Sequence, residues 1–175
     1  MRSVQMLTLT AALLVAVACN DDPLKSKTPG EPPAPTQGAQ AFVQVDNVDA
    51  QPGERINVYV RVQLGTETQA KVGSYTGKLT FNAEALSWVS DQQINDGLRV
   101  INPAGSERGE IRFAGASANG FNDLGLYHGV FEVKKRDYMN QLAVQMDELS
   151  AAVTLRDLKP QLQVTPQIFL RADGQ

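Results

Sequence analysis

The chain has 175 residues with 16 Lys and Arg against 19 Asp and Glu, a formal net charge of −3. Its only basic run, residues 134–136, ends a predicted strand and forms no stripe, which argues against nucleic acid as a partner. One cysteine and one histidine exclude an internal disulfide and a His/Cys zinc site within one chain.

The first 18 residues have the pattern of a secretory signal. Arg2 precedes an apolar stretch over residues 6–18, and small residues lead to Cys19. Thirteen helical residues span roughly 20 Å, which is short of the ~30 Å hydrocarbon core of a bilayer. We therefore predict that residues 1–18 are a signal peptide and not a permanent transmembrane helix.

Residues 16–19, Ala-Val-Ala-Cys, resemble the bacterial lipobox, with Ala16 where Leu is usual. In lipoproteins the cysteine becomes the acylated N-terminus of the mature chain. The resemblance implies that Cys19 is the lipid attachment site, that a lipid bilayer is a partner, and that the protein lies in the bacterial cell envelope, on the outer membrane or cell surface. The alternative is an ordinary signal with a chance cysteine near the cleavage site.

Residues 19–41 are rich in proline and poor in large apolar side chains. Five prolines lie between residues 23 and 35, among Gly, Ser, Thr and Lys. Such a composition buries too little apolar surface to offset the entropy of ordering the chain. We predict a disordered tether in which about 20 residues hold a domain up to ~60 Å from the membrane.

Residues 42–172 are long enough for one domain and alternate with a period of two. Residues 55–64 place Ile and Val on one face and polar residues on the other, as in a strand with one buried face. Pro52 and Gly53 have the positions that a type II turn requires. Further strands are predicted over 74–81, 85–89, 98–101, 110–114, 126–134, 141–146 and 161–170, with one helical turn over 147–153. The pattern predicts an all-β, antiparallel β-sandwich of about nine strands.

The order of these segments resembles the cohesin domain, a jelly-roll sandwich related to family 2 and family 3 carbohydrate-binding modules. The likeness is carried by four segments: 43–64, with its Pro-Gly-acidic turn; 77–86, Gly-Lys-Leu-Thr-Phe-Asn-Ala-Glu-Ala-Leu; 109–117; and 125–134, with Phe-Glu-Val-Lys. Asn82 and Ala83 replace the family's Asp-Pro, and Gly129 replaces a branched aliphatic, which suggests a bulge or a packing gap. The resemblance implies a jelly roll that docks a protein partner, a dockerin-like segment.

The resemblance also implies where the partner would bind. The matching positions are Ser74 and Thr76 on one strand, and Gly115 and Ala116 after the core strand, where the family's acidic residue is lost. We predict a partner-binding face that comprises Ser74, Thr76, Lys78, Gly115 and Ser117.

The alternative function is a carbohydrate-binding module that holds polysaccharide near the cell surface. Aromatic faces pair well with pyranose rings, and the candidate residues are Tyr59, Tyr127 and Trp88. Tyr59 and Tyr127 are expected to be exposed, whereas Trp88 shares a face with Leu86, which favours the core. A third alternative is an assembly factor or structural envelope component without a small ligand.

No residue pattern indicates catalysis. His128 is expected to hydrogen-bond locally within a strand, and residues 115–119 lack the second glycine of a nucleophile elbow. Asp91, Asp96 and Asp123 lie in predicted loops without the dense spacing of a calcium loop. We therefore predict a protein that is not an enzyme, with no catalytic residues, no metal ligands and no cofactor, and calcium is the one ion left open.

Overall fold

The computed structural model of the chain describes residues 25–171, and residues 25–29 are described by their backbone alone. Cys19 and the predicted signal peptide lie outside the described residues. The described part contains ten strands and three short 3-10 helices. The strands are β1 (Lys25–Pro29), β2 (Ala39–Val45), β3 (Arg55–Leu64), β4 (Val72–Thr80), β5 (Leu86–Asp91), β6 (Leu98–Asn102), β7 (Glu110–Ala116), β8 (Gly125–Val133), β9 (Ala143–Ala151) and β10 (Leu162–Leu170).

The strands form two sheets. The six-stranded sheet has the order β1-β10-β2-β3-β8-β5, and the four-stranded sheet has the order β6-β7-β4-β9. Most neighbours pair antiparallel, as predicted, but β10 pairs parallel with both β1 and β2. The prediction of an all-β jelly-roll sandwich is confirmed, with one more strand than expected and a mixed edge.

The alternation in β3 shows why the two sheets pack face to face. Ile56, Val58, Val60 and Val62 are at most 1% exposed, and the residues between them are half-buried. Opposing side chains from the four-stranded sheet, such as Tyr75, Leu79 and Phe113, complete one continuous core. Because burial of apolar surface is the main favourable term in folding, this inner layer holds the sandwich together.

The segment that joins β1 to β2 is not a free tether. Residues 30–38, which we call the strap, cross the outer face of the six-stranded sheet. Gln44 donates to the carbonyl oxygen of Gly30 at 2.6 Å, and Glu31 pairs with Arg61 at 2.8 Å. The amide of Thr66 donates to the carbonyl oxygen of Pro35 at 3.0 Å.

The predicted tether boundary is therefore wrong over residues 25–41, because β1, the strap and the start of β2 belong to the sandwich. Composition missed this because backbone hydrogen bonds and the small buried residues Ala39 and Ala41 hold the segment in place, not large apolar side chains. The ordered domain begins before Phe42.

Two local predictions have opposite outcomes. At the predicted type II turn, the amide of Glu54 donates to the carbonyl oxygen of Gln51 at 3.0 Å, and Gly53 has the required positive φ of 92°. The helical turn predicted over residues 147–153 is wrong, because β9 continues to Ala151 and pairs with β4.

Among residues 25–171, no helix has the length and hydropathy needed to cross a membrane.

Candidate functional site

The outer face of the four-stranded sheet carries the three predicted contact residues of β4. Ser74, Thr76 and Lys78 alternate with buried Tyr75 and Leu79, so they point away from the core. All three are half-buried, since side chains of the neighbouring strands flank them. The structure thus brings Ser74, Thr76 and Lys78 together in one row.

An apolar strip lies beside this row, on β6 and β7. Leu98 is 69% exposed and Val100 is 58% exposed. In register, Leu98 pairs with Ala116 and Val100 pairs with Ala114, so the four side chains lie on one face. The apolar strip, defined as Leu98, Val100, Ala114 and Ala116, was not identified from the sequence.

The other half of the same face is charged. Lys78 Nζ lies 3.1 Å from a carboxylate oxygen of Glu110, and Arg112 Nε lies 2.9 Å from the other oxygen of that carboxylate. The two cations hold the pKa of Glu110 below its usual value, chiefly through the hydrogen bond from Lys78. Ser74 donates to Glu148 at 2.7 Å. The face therefore combines an apolar strip with a row of paired charges.

Gly115 was predicted on the binding face, but its position faces the core. It pairs with buried Tyr75, and a Cβ at Gly115 would meet the Tyr75 ring at 2.5 Å, so the position points inward. Ala114 and Ala116 are the outward neighbours. Ser117 follows β7 and is half-buried, and its amide donates to the carbonyl oxygen of Gly73 at 2.7 Å. Of the two positions that the family likeness matched here, Gly115 faces the core and Ala116 faces outward.

The expected exposure of Tyr127 is also wrong. Tyr127 is 1% exposed and stacks on Phe113 inside the sandwich, with ring centroids 5.8 Å apart. Trp88 pairs in register with buried Phe131 and packs against the core, as the favoured interpretation predicted, and its Nε1 donates to Asp91 at 3.2 Å. Desolvation raises the pKa of the Tyr127 hydroxyl, which lies beside the Trp88 indole N–H.

Tyr59 lies on the opposite side of the six-stranded sheet from these two residues. It is half-buried, its ring stacks on His128 at 4.1 Å, and the Arg171 guanidinium lies over the ring at 4.1 Å. Tyr59, Tyr127 and Trp88 therefore do not form a common stacking platform.

The loop carboxylates considered for calcium are each engaged in the fold. Asp96 accepts the amides of Asn122 and Asp123 at 2.6 and 2.8 Å, which lowers its pKa. Asp123 accepts the amide of Gly125 at 2.8 Å. Within the described range, no group of three or more His, Cys, Asp or Glu side chains is placed to hold a metal ion.

Arg99 is an important residue that the sequence did not reveal. Its side chain is 9% exposed, and the guanidinium donates to the carbonyl oxygens of Asp96, Asp123 and Gly125 and to the Tyr75 hydroxyl. It also lies over the Phe121 ring at 4.5 Å. Arg99 thereby joins β6 of one sheet to β8 of the other, behind the apolar strip.

The sandwich is similar to solved cohesin structures. The sixth cohesin of scaffoldin B from Acetivibrio cellulolyticus, solved in complex with a Cel5 dockerin mutant, has a TM-score of 0.54 at 16% identity, covering 75% of this chain and 99% of that chain. A non-cellulosomal cohesin from the archaeon Archaeoglobus fulgidus has a TM-score of 0.51 at 21% identity, covering 74% and 86%. This domain has the cohesin fold.

A third cohesin, OlpA of Clostridium thermocellum in a type I cohesin–dockerin complex, has a TM-score of 0.51 at 14% identity, covering 74% of this chain and 99% of that chain. No protein-family model matches the sequence, and no curated protein matches it significantly. The likeness of the cohesin-like domain to these structures is one of fold.

Proposed function

We propose that the cohesin-like domain is a non-catalytic docking module that binds a dockerin-like protein segment through the outer face of the four-stranded sheet. The observation that carries the proposal is the exposed apolar strip beside Ser74 and Thr76. Leu98 and Val100 are two of the five large apolar side chains that are exposed within residues 30–171. Adjacent exposed apolar residues bordered by polar ones are typical of protein-binding surfaces.

The covered state of the opposite sheet supports this choice of face. Phe42 and Gln44 pair with Arg61 and Tyr59, on the outer side of β2, yet both are fully buried. The strap and Phe169 cover this side, with Phe42 and Phe169 ring centroids 5.9 Å apart. A partner therefore finds open apolar surface on the four-stranded sheet.

Matched valine substitutions test the proposal. Val100→Arg places a charge within the apolar strip, and Val164→Arg places the same charge on β10, where Val164 is 44% exposed. The full chain is titrated against a panel of dockerin modules with calcium. We expect Val100→Arg to weaken binding at least ~10-fold, because a central interface contact is lost, and Val164→Arg to leave it unchanged. Equal affinities for the two variants, or no binding by any dockerin, would contradict the proposal.

We further propose that acylated Cys19 anchors the module in the bacterial envelope. The lipobox-like residues before Cys19 support this, and each buried methylene of a lipid chain contributes about 0.8 kcal/mol. We expect the full chain to fractionate with membranes and Cys19→Ala to be released. Complete retention of the variant in membranes would show that the anchor is wrong.

A further inference from the structure

A cleft lies on the outer face of the six-stranded sheet, beside the loop that joins β5 to β6. It has a volume of about 420 Å³, within the range of small-molecule sites. Residues of β3 and β8 form its floor, and the loop between β5 and β6 forms one wall. Its polar lining includes Tyr59, Arg61, Asn95, Asp123, His128 and Arg171.

The charged lining has two guanidinium groups and one carboxylate. Arg61 is already paired with Glu31 at 2.8 Å. Arg171 has no carboxylate partner among residues 30–171, and it is held over Tyr59 at 4.1 Å. A positioned guanidinium that lacks a partner suits a ligand carboxylate, which it can bind through two parallel hydrogen bonds.

A hydrogen-bonded relay fixes the proton position on His128. Asp46 accepts the side-chain amide of Asn57 at 2.6 Å, which orients the Asn57 oxygen toward His128 Nε2 at 3.0 Å. Nε2 therefore carries the proton, and Nδ1 is left as an acceptor in the neutral ring. Desolvation, followed by the charge of Arg171, lowers the pKa of His128 to about 4, so the ring is neutral at pH 7.

We propose that this cleft binds a sugar acid, with the carboxylate held by Arg171 and the hydroxyl groups held by His128, Asn95 and Asp123. The acceptors His128 Nδ1 and Asp123 and the amide of Asn95 suit a ligand with several hydroxyls. The ring of Tyr59 is occupied by His128 and Arg171, so recognition proceeds through hydrogen bonds and charge and not through stacking on an aromatic platform. The cleft shares no lining residue with the apolar strip.

The test uses the single histidine as a reporter. The purified full chain is titrated with D-glucuronate, D-glucose and acetate, and the ring proton signals of His128 are followed by NMR, with affinity measured by calorimetry. We expect D-glucuronate alone to shift the signals in a saturable way. Arg171→Gln should weaken its binding at least 10-fold, whereas Arg108→Gln, an exposed arginine outside the cleft, should leave binding unchanged.

Three outcomes would overturn the proposal. If D-glucose shifts the His128 signals as much as D-glucuronate does, the cleft does not recognise the carboxylate. If acetate shifts them equally, the cleft does not recognise the hydroxyls. Unchanged affinity in Arg171→Gln, with the same thermal transition as the natural chain, would remove Arg171 from the site. Val100→Arg, the variant that tests docking, should bind D-glucuronate with the affinity of the natural chain. The docking proposal and the sugar-acid proposal can therefore fail separately.

Discussion

Tyr127 and Gly129 show how one buried side chain restricts another on the same strand. The Tyr127 hydroxyl lies against Gly129, where an added Cβ would meet it at 2.0 Å. The sequence suggested a packing gap at Gly129, and the Tyr127 side chain fills that space. The hydroxyl is buried beside the Trp88 indole N–H, which donates to Asp91, so the hydroxyl is poorly satisfied and its burial costs free energy.

Gly129→Ala should therefore lower the free energy of unfolding by roughly 1–3 kcal/mol, as overpacking does. Tyr127→Phe removes a buried hydroxyl whose neighbouring donor, the Trp88 indole N–H, donates to Asp91, so it should leave stability unchanged or slightly higher. The double variant should recover part of the loss, because the hydroxyl oxygen is gone while the ring carbon Cζ still lies 2.6 Å from the added Cβ. Urea denaturation of the four proteins measures this cycle, and additive losses would show that the contact is unimportant.

His128 predicts a pH dependence of stability. Its pKa is about 4 in the folded chain and near 6.5 when unfolded, so the unfolded state binds a proton first as the pH falls. The contribution of neutral His128 to the free energy of unfolding is therefore fully present above pH 6.5 and is lost between about pH 6.5 and 4. Between pH 7 and pH 5 the free energy of unfolding should fall by about 1 kcal/mol. This is less than the full pKa difference implies, because solvent screens part of the ring.

Denaturation of the natural chain and of His128→Gln at pH 7 and pH 5 separates this contribution from that of the carboxylates. The variant should show the smaller decrease. The same decrease in both proteins would contradict the assignment.

At the scale of elements, Arg99 holds the end of β6 against β8. It satisfies three backbone carbonyls where the loops 92–97 and 117–124 meet, and the Tyr75 hydroxyl below it donates to the carbonyl oxygen of Leu126 at 3.0 Å. These acceptors would lose their partners without the guanidinium, and unpaired buried polar groups are costly.

Arg99→Met keeps much of the apolar side chain and removes the donors, so it should lower the free energy of unfolding by about 2–4 kcal/mol. The exposed Arg136→Met should change it by less than about 0.5 kcal/mol. Thermal or urea denaturation gives both values. A small effect of Arg99→Met would mean that packing alone joins the two sheets.

The strands could be predicted from the sequence because alternation is local. The ten residues of β3 were predicted with their observed bounds, and β4, β6 and β7 were predicted within two residues. Burial on β8 could not be predicted, because a register shift near Val60 and Arg61 breaks the alternation and both Leu126 and Tyr127 are buried. The strap and the parallel pairing of β10 depend on long-range backbone contacts, which leave no periodic signal.

For the whole molecule, the two outer faces are different in character. One carries the strap and the polar cleft near Arg171, and the other carries the apolar strip. That Ser74, Thr76 and Lys78 share one outward-facing row could be predicted from a family likeness, whereas the strip itself could not. Leu98 and Val100 alternate with Arg99 and Ile101 as core residues would, and their exposure follows from their place on the outer face of an edge strand that none of residues 25–171 covers.

The most direct test of docking is amide hydrogen exchange of the full chain with and without a bound dockerin module. We expect added protection in Leu98–Asn102 and Glu110–Ala116 and in the adjoining part of β4, with none in the strap. Protection confined to the strap or to the cleft near Arg171, with β6 and β7 unchanged, would contradict docking through the four-stranded sheet.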